Sequence, residues 1–225
     1  LSRTYQDLMK EKNVLCIDDS NMLLRDIIDG SDAPFVYEKL GVRYEHFLLD
    51  EFQDTSAVQW QNFSPLLMNS ESQGGENLIV GDIKQSIYRW RGSDWKLLNE
   101  TVPGAFPRHS QETLYTNYRS LGHIISFNNC FFNSSAMLLD RMNGHEKGGP
   151  ISDIYADVVQ KVGKNHVEKG CVRLTFCEKE DELAKVYDAV LDALSNGASY
   201  ADIAVLVRSN AIGEDVAMYL IDNGV

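Results

Sequence analysis

Two acidic strand ends carry the chemistry this sequence has to offer. In His46-Phe47-Leu48-Leu49-Asp50-Glu51-Phe52-Gln53-Asp54-Thr55 an apolar run stops at adjacent carboxylates. Such a run reads as a buried strand delivering Asp50 and Glu51 to the carboxyl edge of a parallel sheet, where open α/β sheets bind ligands. Nucleoside triphosphate hydrolysis needs one carboxylate to hold magnesium and a second group to position the attacking water. Asp50 suits the metal and Glu51 the water. An Asp-Glu pair alone is as readily a solvated turn, so a second stretch with the same grammar matters.

That stretch is Asn77-Leu78-Ile79-Val80-Gly81-Asp82. An apolar strand again ends in a carboxylate, after a Gly that lets backbone approach a ligand closely. It runs into Ile83-Lys84-Gln85-Ser86-Ile87-Tyr88-Arg89-Trp90-Arg91-Gly92-Ser93-Asp94. Gln85 is placed to sense a phosphate. Tyr88, Trp90 and Arg91 interleave aromatic and basic groups as binders of single-stranded nucleic acid do.

The elements around these stretches follow from periodicity and capping. Thr4 and Asp7 suit a capped helix over 4–12, and a second helix starts after Ser20 with Leu23, Leu24, Ile27 and Ile28 on one face. Thr55 or Ser56 caps a helix with Val58, Trp60 and Phe63 inward, and Ser64-Pro65 restarts it. Residues 70–76 read as a Gly-rich surface loop, and Trp95, Leu97 and Leu98 begin a helix that Pro103-Gly104 ends. A strand over 112–116 leads to Asn117-Tyr118-Arg119, and Ser120 caps a helix carrying Ile124, Ile125, Phe127 and Phe131. Residues 143–150 and the polar stretch near 160–170 read as mobile connections. Strands over 171–176 and 203–207 then alternate with helices, the first carrying Leu183, Val186, Tyr187, Val190, Leu191 and Leu194. Alternation of this kind gives an α/β fold with parallel sheets flanked by helices.

Composition narrows the function classes. The 225 residues are 44% hydrophobic and 24% charged, enough to bury a core. No apolar run reaches the roughly 20 residues of a membrane helix, so no membrane partner is expected. Cys16, Cys130, Cys171 and Cys177 lack metal-ligand spacing and fit a reduced, cytoplasmic setting. His46, His109, His123, His145 and His166 also lack ligand spacing. A net charge of −12 argues against a generally DNA-coating surface. Any nucleic-acid site must then be a local basic and aromatic patch.

Asp-Glu-Phe-Gln-Asp-Thr, then Val-Gly-Asp-Ile-Lys-Gln-Ser-Ile-Tyr-Arg-Trp-Arg-Gly-Ser-Asp, then Leu-Tyr-Thr-Asn-Tyr-Arg-Ser (114–120) resemble motifs II, III and IV of the UvrD/Rep/PcrA group of superfamily 1 helicases. The stretches Asp32–Lys39, Asp94-Trp95 and Leu97-Leu98-Asn99 lean toward the RecB/AddA helicase–nuclease branch. The resemblance implies P-loop NTPase, RecA-like architecture. Residues 1–110 would form the later part of one RecA-like domain, and 111–225 the first part of a second, with a flexible connection near 143–170. It implies ATP and Mg2+ as cofactors, single-stranded and duplex DNA as partners, and an AddB/RecC-like subunit beside the whole protein.

Roles follow residue by residue from the same resemblance. Asp50 holds the metal and Glu51 activates water. Gln85 couples the γ-phosphate to the DNA track. Trp90 stacks on a base with Arg91 beside it, and Tyr88 lies with them, packing being its competing role. Tyr118 stacks on adenine and Arg119 reaches the γ-phosphate. Gln53 and Asp54 orient the 50–51 carboxylates or contact nucleotide and water, with a cap and turn role as the competing reading. Asp82 orders Gln85, sits near the metal, or is purely structural. Arg208 matches no motif; it follows the 203–207 strand, could face the cleft, and better suits a surface salt bridge.

No Gly-x-x-x-x-Gly-Lys-Ser/Thr phosphate loop occurs, and motifs V and VI are missing. The expectation is therefore a fragment of a larger enzyme, inactive by itself. A DNA- or partner-binding module on a degenerate helicase scaffold is the alternative. Asp82-Ile83-Lys84 also resembles the end of a metal-dependent nuclease site, but a nuclease site here is set aside.

Overall fold

The computed structural model describes residues 8, 9, 11–14, 20, 21, 25, 41, 44–146, 148–163 and 169–225. The expected Thr4–Asp7 cap, the Leu23–Ile28 face, Asp32–Lys39 and Cys16 lie outside the described residues. Within them, Leu8, Met9, Glu11 and Lys12, and later Ser20, Asn21 and Arg25, are helical as expected. The chain forms two compact units, Leu1–Arg119 with Asn128–Gly163, and Ser120–Phe127 with Lys164–Val225.

In the first unit, β1 (Phe47–Leu49) and β2 (Asn77–Ile79) pair in parallel, with Leu48 opposite Leu78. Their class is α/β with parallel strands, as the sequence implies. The expectation that the first strand is buried holds for one face only. Phe47, Leu49 and Ile79 pack on the core, whereas Leu48 is 76% exposed and Leu78 51%.

Between the strands runs α1 (Ala57–Ser72), capped by Ser56. The Ser56 hydroxyl accepts from the Gln59 amide at 3.3 Å, and the Gln59 side chain accepts from the Ser56 amide at 2.8 Å. This reciprocal box satisfies two orphan donors at the first turn. Three expectations fail along α1. Pro65 lies inside one continuous helix instead of restarting it. Trp60, Leu66 and Leu67 bury on both sides of the proline, and that burial offsets the missing amide bond. Ser70, read as surface loop, is a buried helix residue whose hydroxyl donates to the Glu45 carbonyl at 2.5 Å. Phe63, expected inward, is exposed.

The core joins Phe52, Trp60, Leu67, Leu97, Val102 and Phe106. Trp60 meets Phe52 edge-on at 5.5 Å between ring centres and Phe106 at 6.3 Å, geometries that suit the ring quadrupoles. Leu97 and Val102 come from a π-helical turn, Leu97–Thr101, that runs into α2 (Val102–Ala105). Pro103 and Gly104 lie within α2 instead of ending the helix before it, because Pro is tolerated in a first turn.

The same unit holds a second parallel pair, β3 (Thr116–Asn117) with β4 (Lys161–Val162). Helix α3 (Gly122–Met142) follows β3, and α4 (Pro150–Ile154) precedes β4. Thus 150–162, for which the sequence suggests connections, carries a helix and a strand. Asp140, 1% exposed, caps α4 from α3. Its carboxylate accepts from the Ile151 amide at 3.2 Å, the Ser152 amide at 2.7 Å and the Ser152 hydroxyl at 2.6 Å. Burial pushes this carboxyl up, but the Ser152 and backbone hydrogen bonds outweigh it and hold it below the usual range. A depressed folded value means the stabilisation is complete above the unfolded carboxylate range and disappears as pH falls through the folded value. Asp140→Asn should therefore lower the melting temperature at neutral pH by several degrees and flatten its acid dependence. Melting curves across the acid range check this. Unchanged curves would contradict it.

The second unit packs α5 (Glu182–Ser195) against α6 (Asn210–Asp222). Val190 and Val216 are buried, and Tyr187 meets Tyr219 edge-on at 6.2 Å. Ser209 caps α6. The expected strands over 171–176 and 203–207 are not strands: both segments run without ladder pairing, and Phe176 and Leu206 are 93% and 95% exposed. Their β-rich composition marks a tendency that only a paired neighbour makes good. Arg208, expected in a surface salt bridge, has no ion-pair partner among the described residues.

Candidate functional site

Asp50 and Glu51 leave the end of β1, and both are exposed. The Glu51 backbone is left-handed, φ 49° and ψ 39°, which is uncommon for a residue with a side chain. Such strain of about 1–3 kcal/mol persists where the surroundings over-determine it. Here three hydrogen bonds do so. The Glu51 amide donates to Asp50 Oδ1 at 2.9 Å, the Phe52 amide to the Val80 carbonyl at 3.0 Å, and Gln53 Nε2 to Glu51 Oε2 at 2.6 Å. Glu51 Oε1 stays without a partner among the described residues and can accept from water.

Gln53 does more than either sequence reading allowed. It is 3% exposed, and its Oε1 accepts from the Asp82 amide at 3.0 Å. Its carbonyl accepts from the Ser86 hydroxyl at 3.2 Å. One buried amide thus joins the first acidic stretch to the second. Gly81 makes room for this contact: a Cβ there would stand 2.8 Å from Gln53 Oε1 and 3.0 Å from Leu98.

Asp82 Oδ2 accepts from Gln85 Nε2 at 3.0 Å, so Asp82 does order Gln85. Its Oδ1 accepts from the Lys84 amide at 3.0 Å and faces Lys84 Nζ at 2.9 Å. Burial pushes the Asp82 carboxyl up, but the Gln85 and Lys84 hydrogen bonds and the Lys84 charge prevail and hold it below its ordinary value. Asp82 therefore stays ionised. Sequence reasoning met Lys84 only in the set-aside nuclease resemblance and had no signal at all for its second partner, Asp157.

Beyond Ser86 the chain turns outward through Tyr88, Trp90 and Arg91. Trp90 is 78% exposed, Tyr88 lies 6.3 Å from it edge-on, and the Arg91 guanidinium sits 5.2 Å from the Trp90 ring centre. An exposed indole beside a cation is able to stack a base. The turn is pinned at one end by Ser86 on Gln53 and at the other by the Ser93–Ser56 bridge. The two ends of the site, carboxylate and indole, thereby hang on one framework.

Tyr118 and Arg119 follow β3 and are exposed, Tyr118 at 76%. The Arg119 amide donates to Asn117 Oδ1 at 2.9 Å, and its guanidinium has no carboxylate partner among the described residues. Asp54 is exposed and starts no side-chain bond to the carboxylate pair.

A magnesium ion fits Asp50 on the donor chemistry. Its carboxylate is exposed, one oxygen takes the Glu51 amide, and the other has no partner among the described residues. A hard cation that keeps most of its waters needs no more than one or two carboxylates. No group of three or more His, Cys, Asp or Glu that could hold a metal occurs among the described residues. No helix among the described residues is long and apolar enough to cross a membrane.

Residues 1–103 match the family described as the UvrD/REP helicase N-terminal domain. The chain is 36% identical over 123 residues to the RecBCD enzyme subunit RecB of Chlamydia pneumoniae, covering 55% of this chain and 12% of that protein. It is 30% identical over 211 residues to DNA helicase II of Haemophilus influenzae, covering 92% of this chain and 25% of that protein. To DNA helicase II of Escherichia coli it is 27% identical over 217 residues, covering 94% and 27%. The chain thus spans between about an eighth and a quarter of the length of these relatives. Both acidic stretches and the aromatic turn fall inside the segment that matches the UvrD/REP helicase N-terminal domain, and RecB and DNA helicase II proteins are among the relatives the chain is similar to.

Proposed function

We propose that the protein carrying this chain is an ATP-dependent DNA helicase, coupling hydrolysis to translocation on single-stranded DNA and to unwinding in recombination and repair. The observation that carries this reading is the buried Gln53 amide, which holds Glu51 on one side and the Asp82 amide on the other. A water-activating carboxylate and a phosphate-sensing segment so joined respond to each other. Glu51 takes the proton of the attacking water. Gln85, held by Asp82, passes the phosphate state to the turn that presents Trp90, Arg91 and Tyr88 to DNA. Magnesium at Asp50 supplies charge neutralisation on the phosphates. Tyr118 stacks on adenine, and Arg119 reaches the transferring phosphate.

In finer detail, the reading assigns 1–110 and 111–225 to two RecA-like domains. It assigns the parent to the RecB/AddA branch, as the subunit of an exonuclease V-like enzyme with an AddB/RecC-like partner. The RecB relatives, named as subunits of a RecBCD enzyme, favour that branch.

Trp90 gives the test on the DNA side. A stacked base is worth about 1–3 kcal/mol, or roughly 5- to 150-fold in affinity. Trp90→Ala should raise the single-stranded DNA concentration for half-maximal stimulation of ATP hydrolysis by such a factor and leave DNA-free hydrolysis unchanged. Half-maximal stimulation at the wild-type concentration would remove Trp90 from the DNA track.

A further inference from the structure

Lys84 is the one cation in the second acidic stretch that is turned inward, and it stands between two carboxylates. Its Nζ lies 2.9 Å from Asp82 Oδ1 and 2.9 Å from Asp157 Oδ1. The side chains are 19%, 29% and 43% exposed for Lys84, Asp82 and Asp157. Exposed ion pairs contribute little, but this set is partly shielded and shares one ammonium among charge-assisted hydrogen bonds. All three groups line a groove of about 780 Å3 that also includes Gln85.

Asp157 is well braced for a residue 73 positions away. It sits in the turn between α4 and β4. Tyr155 just before it stacks on Phe132 of α3, 6.2 Å between ring centres and 21° between planes. Just after it, Gln160 exchanges two hydrogen bonds with Asn129: the Gln160 amide donates at 3.0 Å and the Gln160 carbonyl accepts at 2.9 Å. A carboxylate on so fixed a turn can hold an ammonium in one place. Without the Lys84 ammonium, Asp82 would keep the residue-84 backbone amide and Gln85, whose own orientation depends on Asp82, and would lose its only charged partner among the described residues.

We propose that Lys84, tethered by Asp157, is a positioning residue that locks Asp82 and through it sets the Gln85 amide for phosphate sensing. The clamp rests on the hydrolase reading given above. Neither Lys84 nor Asp157 touches the reacting atoms; they act through the Asp82–Gln85 pair.

The experiment uses the full-length protein and two readouts. In steady-state ATP hydrolysis with saturating single-stranded DNA, Lys84→Met should lower kcat about tenfold with KM for ATP little changed. Lys84→Arg, which keeps the charge, should restore most of it. In the second readout, site-resolved acetylation of lysine amines by acetic anhydride, Asp157→Asn should speed labelling of Lys84 about fivefold or more, because the tether holds the amine protonated and shielded. Its kcat should fall in the same direction as that of Lys84→Met.

Wild-type kcat in Asp157→Asn despite faster labelling would overturn the positioning role. Labelling of Lys84 at the wild-type rate in Asp157→Asn would overturn the tether. A Lys84→Met loss that falls on KM, or that Lys84→Arg does not repair, would also overturn the proposal. A wild-type protein without DNA-stimulated hydrolysis would instead sink the hydrolase reading, and the labelling result alone would then decide whether the clamp exists.

Discussion

Replacing Glu51 by Gln should cut DNA-stimulated ATP hydrolysis about 100- to 10,000-fold, the usual contribution of a positioned general base. The change is nearly isosteric and leaves the left-handed backbone at Glu51 as it is. The side-chain oxygen of the new amide can still accept from Gln53 Nε2, so the framework to Asp82 and Ser86 persists. What disappears is the basicity that accepts a proton from water. KM for ATP and affinity for single-stranded DNA should therefore stay near wild type while kcat collapses. Stopped-time hydrolysis assays and fluorescence anisotropy on a labelled oligonucleotide measure the two sides. A variant that keeps kcat within a few-fold would take the base role away from Glu51.

Arg119 carries the second large effect. A guanidinium that reaches the transferring phosphate is worth about a thousandfold or more in turnover. Arg119 is exposed just after β3, its backbone held by Asn117 Oδ1 and its charge not committed to a carboxylate among the described residues. Arg119→Ala should lower single-turnover hydrolysis by about that factor, and Arg119→Lys should recover little of it, since a compact ammonium does not reproduce the planar fork. DNA affinity should not move. Full recovery with Lys, or no loss with Ala, would leave Arg119 as a surface residue.

The parts legible in the sequence were those governed by short-range chemistry. Apolar runs ending in Asp50 and Asp82 gave a parallel pair of strands because strand and edge are written in consecutive residues. Ser56 marked a helix start because a cap acts only a turn ahead. The relay through Gln53 was only half legible. A buried Gln two residues after a Glu says nothing of which way its amide faces, and the second partner, the Asp82 amide, arrives from another strand end. The Lys84–Asp157 pair was not legible at all, since nothing in local pattern links residues so far apart. The segments 171–176 and 203–207 failed for the opposite reason. Their composition favours strands, but pairing belongs to the neighbour and not to the segment. Pro65 failed likewise, since the buried stripe on both sides of it outweighs the lost backbone bond.

The most direct measurement is steady-state ATP hydrolysis by the full-length protein, with magnesium, in the presence and absence of a single-stranded DNA oligonucleotide. A water-activating carboxylate and a base-stacking turn hung on one buried amide predict a rate that rises with DNA by about an order of magnitude or more, saturably. A rate that is absent, or the same with and without DNA, would contradict the account.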